Sequence, residues 1–527
     1  MFTVRNPARS TVHRMVRDVG VDYAKHVLRR FTYGCTPELL DLVRVRGVER
    51  WFEEQLQPDS LADDACEGVI ASHPGFYWGQ LRSYPEVQRV RDSLAGTGLP
   101  PESMFQNAKR NVNYARRILS TRQVFETMVE FWCEHFNIND SSGKAGGLLN
   151  AYGLDWELSV VREHALTSFP RILRAAVYHP AMIVWLDGEY SRKSSPNENF
   201  ARELLELYTV TPDAGYTQDD VVQAARLFSG LRGPWQRAPL APRAGMVGMY
   251  AVDDRTFIDI GQQHFGSFRV MGWSGSATTP AGVVAAIDGL LAYLAGHPAT
   301  ARNVATKLAR RYVADAPSPR LIGDLARHFS TVFGDTREML RALVAHDEFR
   351  AAVGRKVKRP TEDLVSLARA LQLAPDPARF GGVGRSGGAA AVNWGFDQLL
   401  ARLGHQHARW PLPDGYPDTE DYWNDSASHV ARWYAHQILV GAAAATTAGM
   451  QPARWGSLVS QSTPSTIPDV VDAVSSRLLQ RPLSSEARAA VIAVASRTRS
   501  TVTESTRDAT CALVAFLVVS LPEWIER

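Results

Sequence analysis

Over residues 116–136, Phe125, Met128, Val129, Trp132 and Phe136 fall at i, i+3, i+4, i+7 and i+11. That spacing puts an apolar stripe along one side of an α-helix, with Glu126, Glu130 and Glu134 on the other. The same period returns along most of the chain, whereas a half-buried strand needs strict alternation. It fixes the fold class as mainly α: a large multi-helix assembly. Helices are expected at 24–31, 48–56, 116–136, 159–166, 170–178, 196–208 and 217–228, from 280 to 349, and from 393 to the end. Thr36-Pro37-Glu38 has the form of a helix start, with a cap, a proline at the first helical position and an acidic first turn.

Residues 230–275 break the pattern. Pro234, Pro239 and Pro242 precede two stretches of alternation, 246–252 and 256–260. A small irregular or β insert, a hairpin or lid-like loop, is expected in the middle of the chain. The organisation that follows is an N-terminal helical region (1–107), a central helical module (108–349) carrying the insert, and a C-terminal helical region (350–527).

Composition removes several classes. With 45% hydrophobic and 21% charged residues and a formal net charge of +3 over 527 residues, nothing calls for nucleic acid or an anionic membrane as partner. Cys35, Cys66, Cys133 and Cys511 form no CxxC pair, which argues against a zinc ribbon and for small buried hydrophobes in a reducing compartment. Residues 1–21 show no apolar signal core, and the longest apolar run, 511–519, is too short to span a bilayer. A cytoplasmic protein with no membrane span is expected. Gly382–Gly387 fits GxGxxG and Gly384–Gly388 fits GxSxG, but neither has a strand before it or a helix after it. Lys109-Arg110, Arg116-Arg117 and Arg310-Arg311 read as solvated helix faces, and His405-Gln406-His407 as a surface loop.

The chemistry concentrates in 197–209. On a wheel with Glu198 at zero, Arg202 falls at about 40°, Glu206 at about 80° and Glu203 at about 140°. Three carboxylates and a guanidinium thus share a face, and Asp220 on the next helix can meet it. Carboxylates with one histidine suit a hard or borderline divalent cation: Mg²⁺, Mn²⁺, Ca²⁺ or Fe. The expected metal ligands are Glu198, Glu203, Glu206 and Asp220. His135 or His164 would be ligand or general base, and Arg202 would orient a carboxylate or an anionic substrate. His179 and His297 precede Pro at helix starts and suit capping roles. No HExxH or di-iron pattern accompanies them.

Several stretches, in order, resemble a known family: 26–34, Phe131-Trp-Cys-Glu-His-Phe136, 162–166, 179–182, 197–207, 215–221, 225–230, 296–302, Lys307-Leu-Ala-Arg-Arg-Tyr-Val313, Gly415-Tyr-Pro417 and 520–524. Together they resemble the bacterial family called domain of unknown function eighteen-hundred, over nearly the whole chain. The resemblance implies a mostly helical protein and supplies no activity. It also implies relatives that are often exported and often encoded beside sulfatase-like proteins. This chain departs from the family pattern in lacking an export signal, in carrying His264-Phe265 in place of a His-Asp pair, and in carrying 405–407 where a Gln-Pro-rich segment is usual. Two functional expectations stand: a metal-assisted enzyme, hydrolytic or oxidative, and a non-catalytic helical scaffold or partner of a sulfatase-like protein.

Overall fold

The computed structural model describes residues 22–73, 86, 89–90, 92–93, 101–144, 148–233, 248–376, 395–441, 443–459, 464–499 and 501–527. The glycine-rich matches at 382–388 lie outside them. Helices dominate from Tyr23–Phe31 to Pro522–Ile525, as the sequence period requires. The described strands are short. β1 (Leu231–Arg232), β3 (Phe257–Asp259) and β2 (Met249–Ala251) form an antiparallel sheet in that order, and β4 (Gly266–Val270) pairs with β5 (Trp273–Ala277) as a hairpin. This is the small insert expected at 230–275. Among the described residues no single helix is long and apolar enough to cross a membrane; only Pro280–Gly296 with Pro298–Tyr312, bent by 61°, meets that measure as a pair.

Local chemistry places the helix starts. The Thr36 hydroxyl accepts from the Leu39 amide, and Thr217 and Asp220 form a reciprocal capping box. His179 and His297 cap as expected, each accepting on Nδ1 the amide of the residue two positions on.

The apolar faces meet in two clusters. One gathers Val27, Phe31, Trp132, Phe169, Leu204, Leu290, Leu308 and their neighbours. The other gathers Tyr33, Tyr114, Leu364, Leu439, Val471 and Val514. Each large side chain so enclosed stabilises by roughly 1.5–3 kcal/mol before entropy is counted.

Three expectations need correction. The stretch 116–136 is two helices, Pro101–Leu119 and Gln123–His135. The break sits at Ser120-Thr121, where the Asp63 carboxylate takes the Ser120 hydroxyl at 2.7 Å and the Thr121 amide at 2.7 Å. Those bonds offer the backbone an alternative to the helical ladder. The helices expected at 159–166 and 196–208 become wider-wound: Glu157–Arg162 is a π turn, and Glu198–Glu203 runs into a π turn at Leu204–Tyr208.

The third correction concerns charge. Lys109, Arg110, Arg116, Arg117 and Arg311 are buried, and so are His405 and His407. The carboxylates that neutralise them come from other segments, invisible to local periodicity. Lys109 pairs with Asp140 at 3.1 Å, Arg110 with Asp397 at 3.1 Å, and Glu126 holds Arg162 through two bonds. Glu130 is shared by Arg311 at 2.5 Å, Arg359 at 2.8 Å and Arg117 at 3.3 Å. A desolvated cation persists only when paired in this way.

Candidate functional site

A cavity of about 360 Å³ opens where four segments meet, its wall including Glu134, His135, Lys307, Arg310, Asp414 and Tyr416. Glu134 and His135 close the Gln123–His135 helix. Lys307 and Arg310 stand on one face of Pro298–Tyr312. Residues 414–419 form a loop along its wall. The fourth segment is Arg359, at the start of the Pro360–Ala370 helix; outside the lining, the π turn Leu204–Tyr208 supplies backbone carbonyls to His135 and Lys307. There the Thr209 hydroxyl donates to the Leu204 carbonyl at 2.7 Å and the Thr211 amide to that of Leu205 at 2.9 Å. The carbonyls of Leu207 and Tyr208 accept from side chains instead, and single π turns recur at functional sites.

These two carbonyls fix protons. His135 Nε2 lies 3.2 Å from the Tyr208 oxygen, which can only accept, so Nε2 carries the hydrogen. Nδ1 is then a lone pair, and the Lys307 ammonium donates to it at 3.1 Å and to the Leu207 oxygen at 3.2 Å. Burial, and after it the Lys307 charge, keeps His135 neutral, its pKa well below the usual range. Burial pushes Lys307 down to about 8, with Asp414 pulling it up and Arg310 pushing it further down.

Glu134 is half-buried, and one of its oxygens accepts the Tyr416 amide at 2.7 Å. Only glycine fits before Tyr416. Gly415 has φ +80°, and a Cβ there would stand 2.3 Å from the Glu134 carbonyl oxygen. The loop can therefore lie against the helix end and deliver its amide. Burial pushes the Glu134 carboxyl up to about 7, against the pull of Arg359 and with a further push from Glu130. Glu130 itself goes the other way: burial alone would raise it, but Arg359, Arg117 and Arg311 hold it well below the ordinary range. Two glutamates one turn apart thus differ in charge state because one is enclosed by arginines and the other faces the cleft.

The residues singled out in the sequence are dispersed. His135 is in the cleft. Glu203 is half-buried beside it, its pKa raised first by burial and then by Glu206 and Asp414. Glu206 accepts the Tyr216 hydroxyl at 3.2 Å. Glu198 pairs with Arg202 at 2.9 Å on an open surface, with Gln218 bridging both. Asp220 is occupied: one oxygen takes the Thr217 amide and hydroxyl, each at 2.7 Å, and the other takes the Met271 amide at 2.6 Å, which fastens the β4–β5 turn to the Gln218–Phe228 helix. His164 is half-buried next to Glu163 and does not line the cavity. The wheel angles fail past Glu203 because the π turn departs from the α-helical step there.

Among the described residues three groups could share an ion by proximity: Cys133, Glu157 and His407; Glu130, Glu134 and His405; and His346, Asp347 and Glu348. None includes Glu198, Glu203, Glu206 or Asp220. Hydrogen bonding limits each of them. The Thr361 amide donates to His405 Nδ1 at 3.2 Å, so the neutral ring carries its hydrogen on Nε2. The Arg117 guanidinium donates to His407 Nδ1 at 3.1 Å, and His407 Nε2–H donates to Glu157 at 2.8 Å. Neither ring has a spare lone pair, and burial keeps the Cys133 thiol protonated. In the third group His346 Nδ1 is used as a cap for Glu348 at 3.2 Å.

Periodicity did not point to Glu134, Lys307, Arg310, Asp414 or Gly415. For all but Asp414 the signal was the motif set: 131–136, 197–207, 307–313 and 415–417 all carry the family resemblance, and all four border the cavity or supply carbonyls to its lining side chains. Comparison with curated proteins and with solved structures returns no match. A family model does match, over residues 26–525, and its description assigns no activity and lends the metal-assisted reading no support. The chain belongs to the family described as protein of unknown function DUF1800.

Proposed function

We propose that this chain is an enzyme working by proton transfer in the cleft, with Glu134 and Lys307 as the acid–base pair. The observation that carries the reading is their placement: a carboxyl titrating at about 7 and an amine at about 8 line one cavity. Groups poised near neutrality are what general acid–base chemistry requires. His135 is a positioning residue. Its fixed tautomer and the Leu207 carbonyl hold Lys307 in place and leave one ammonium hydrogen for the cavity. The ion pairs of Glu130 form a rigid floor beneath them.

A divalent metal (Mg²⁺, Mn²⁺, Ca²⁺ or Fe) is the second reading, with Glu203 and Glu206 as its ligands; the observation in its favour is the half-buried, mutually repelling pair beside Asp414. A scaffold for a sulfatase-like partner leaves the perturbed groups without a task.

Competitive acylation of the native protein with trace reagent, mapped by mass spectrometry across pH 6–11, tests the proposal. Lys307 labelling should reach half its maximum at about pH 8. A half-maximum near 10.5, as for an ordinary lysine, would refute it.

A further inference from the structure

Lys307 and Arg310 are three residues apart in one helix, so they share a face, and both line the cavity. The other cations in that wall are committed. Arg311 is bound to Glu130 and Glu362, and Arg359 to Glu130. Lys307 and Arg310 differ: among the described residues neither has an ion-pair partner. Lys307 gives two hydrogens to neutral acceptors, and Arg310 gives its Nε hydrogen to the Asp315 carbonyl at 3.3 Å, which leaves both its terminal amino groups. The acids nearby are occupied as well. Asp418 holds Lys356 at 3.1 Å, Glu134 holds the Tyr416 amide, and exposed Asp414 takes the Trp410 indole at 2.7 Å.

Cations in the last turn of a helix complement its dipole, which accounts for an arginine at 310. It does not account for Lys307, whose donors turn to another segment. Two half-buried like charges on one wall repel; Asp414 offsets this in part at Lys307, and a bound anion would relieve it further.

We propose that this wall binds an oxyanion group of the substrate, a carboxylate, phosphate or sulfate, with two oxygens on the Arg310 fork and one on the free Lys307 hydrogen. A planar guanidinium suits two oxygens and an ammonium suits one. Calling the ligand a substrate rests on the acid–base reading above; the binding itself does not require the Glu134 proton.

Calorimetric titration of the full chain with sodium phosphate, sulfate and acetate, at constant ionic strength, tests it. Saturable one-to-one binding of at least one anion is expected, and the ranking of the three identifies the group. Arg310→Gln should weaken it about ten-fold or more, while Arg302→Gln, an exposed change on the same helix, should stay within about two-fold. Absence of saturable binding, or equal losses in both variants, would overturn the proposal. Glu134→Gln should retain the affinity. Retained binding together with a Glu134 that titrates near 4.5 leaves the anion site standing and removes the acid–base reading. No binding with Glu134 titrating near 7 does the reverse.

Discussion

Glu134→Gln should stabilise this protein at neutral and alkaline pH, the opposite of what removing a functional carboxylate usually suggests. Folding carries the Glu134 carboxyl from its ordinary 4.5 to about 7. The unfolded chain therefore releases this proton first, and stability falls as pH rises from about 4.5 to about 7. At about 1.36 kcal/mol per pH unit, the full cost is roughly 3 kcal/mol, and it persists above pH 7 once both states are ionised. Glutamine keeps an oxygen for the Tyr416 amide and never ionises, so it escapes this cost. Urea unfolding of both proteins at pH 5 and pH 8 measures the effect. The variant should gain about 2–3 kcal/mol relative to the native protein between the two conditions. An equal difference at both pH values, or a variant that loses ground at pH 8, would refute the placement of this carboxyl in a desolvated cleft.

Other variants separate floor from cleft. Glu130→Gln leaves Arg117, Arg311 and Arg359 enclosed without their shared anion, and should cost about 3–5 kcal/mol or abolish folding, as soluble yield and denaturation will show. Asp220→Ala removes the capping box and the Met271 bond; a loss of about 1–2 kcal/mol is expected in the same denaturation assay. Acid should unfold the protein. Burial alone would raise Glu157 and Glu362, but His407 and Arg311, respectively, together with their neighbours hold each at about 2. Their contribution is complete above the ordinary 4.5 and is lost as pH falls toward 2, which circular dichroism against pH will show.

The sequence made the helices legible because an apolar stripe such as Phe125–Phe136 is a local property. Caps at Thr36, His179 and His297 were equally local and formed as the residues required. The break at Ser120 was hidden because its cause, Asp63, lies far away in the chain. The π turn at 204–208 was hidden for a related reason: its carbonyls are claimed by His135 and Lys307, which no wheel displays. The polar face at 197–209 lies next to the candidate cleft, with Glu203 close enough to feel Asp414. Its contribution to the cleft, however, is two backbone oxygens and the field of Glu203, while Glu198 and Arg202 satisfy each other in solvent. The buried arginines were the least legible, since Arg117 and Arg311 look like surface residues until the fold brings Glu130 between them.

Infrared difference titration of the native protein against Glu134→Gln, from pH 4 to pH 9, bears most directly on the proposed chemistry. It follows loss of the protonated carboxyl band that only the native protein can show. A midpoint at about 7 is the predicted result. A midpoint near 4.5 would contradict it, because Glu134 would then be an ordinary solvated carboxylate and the cleft would hold no acid at neutral pH.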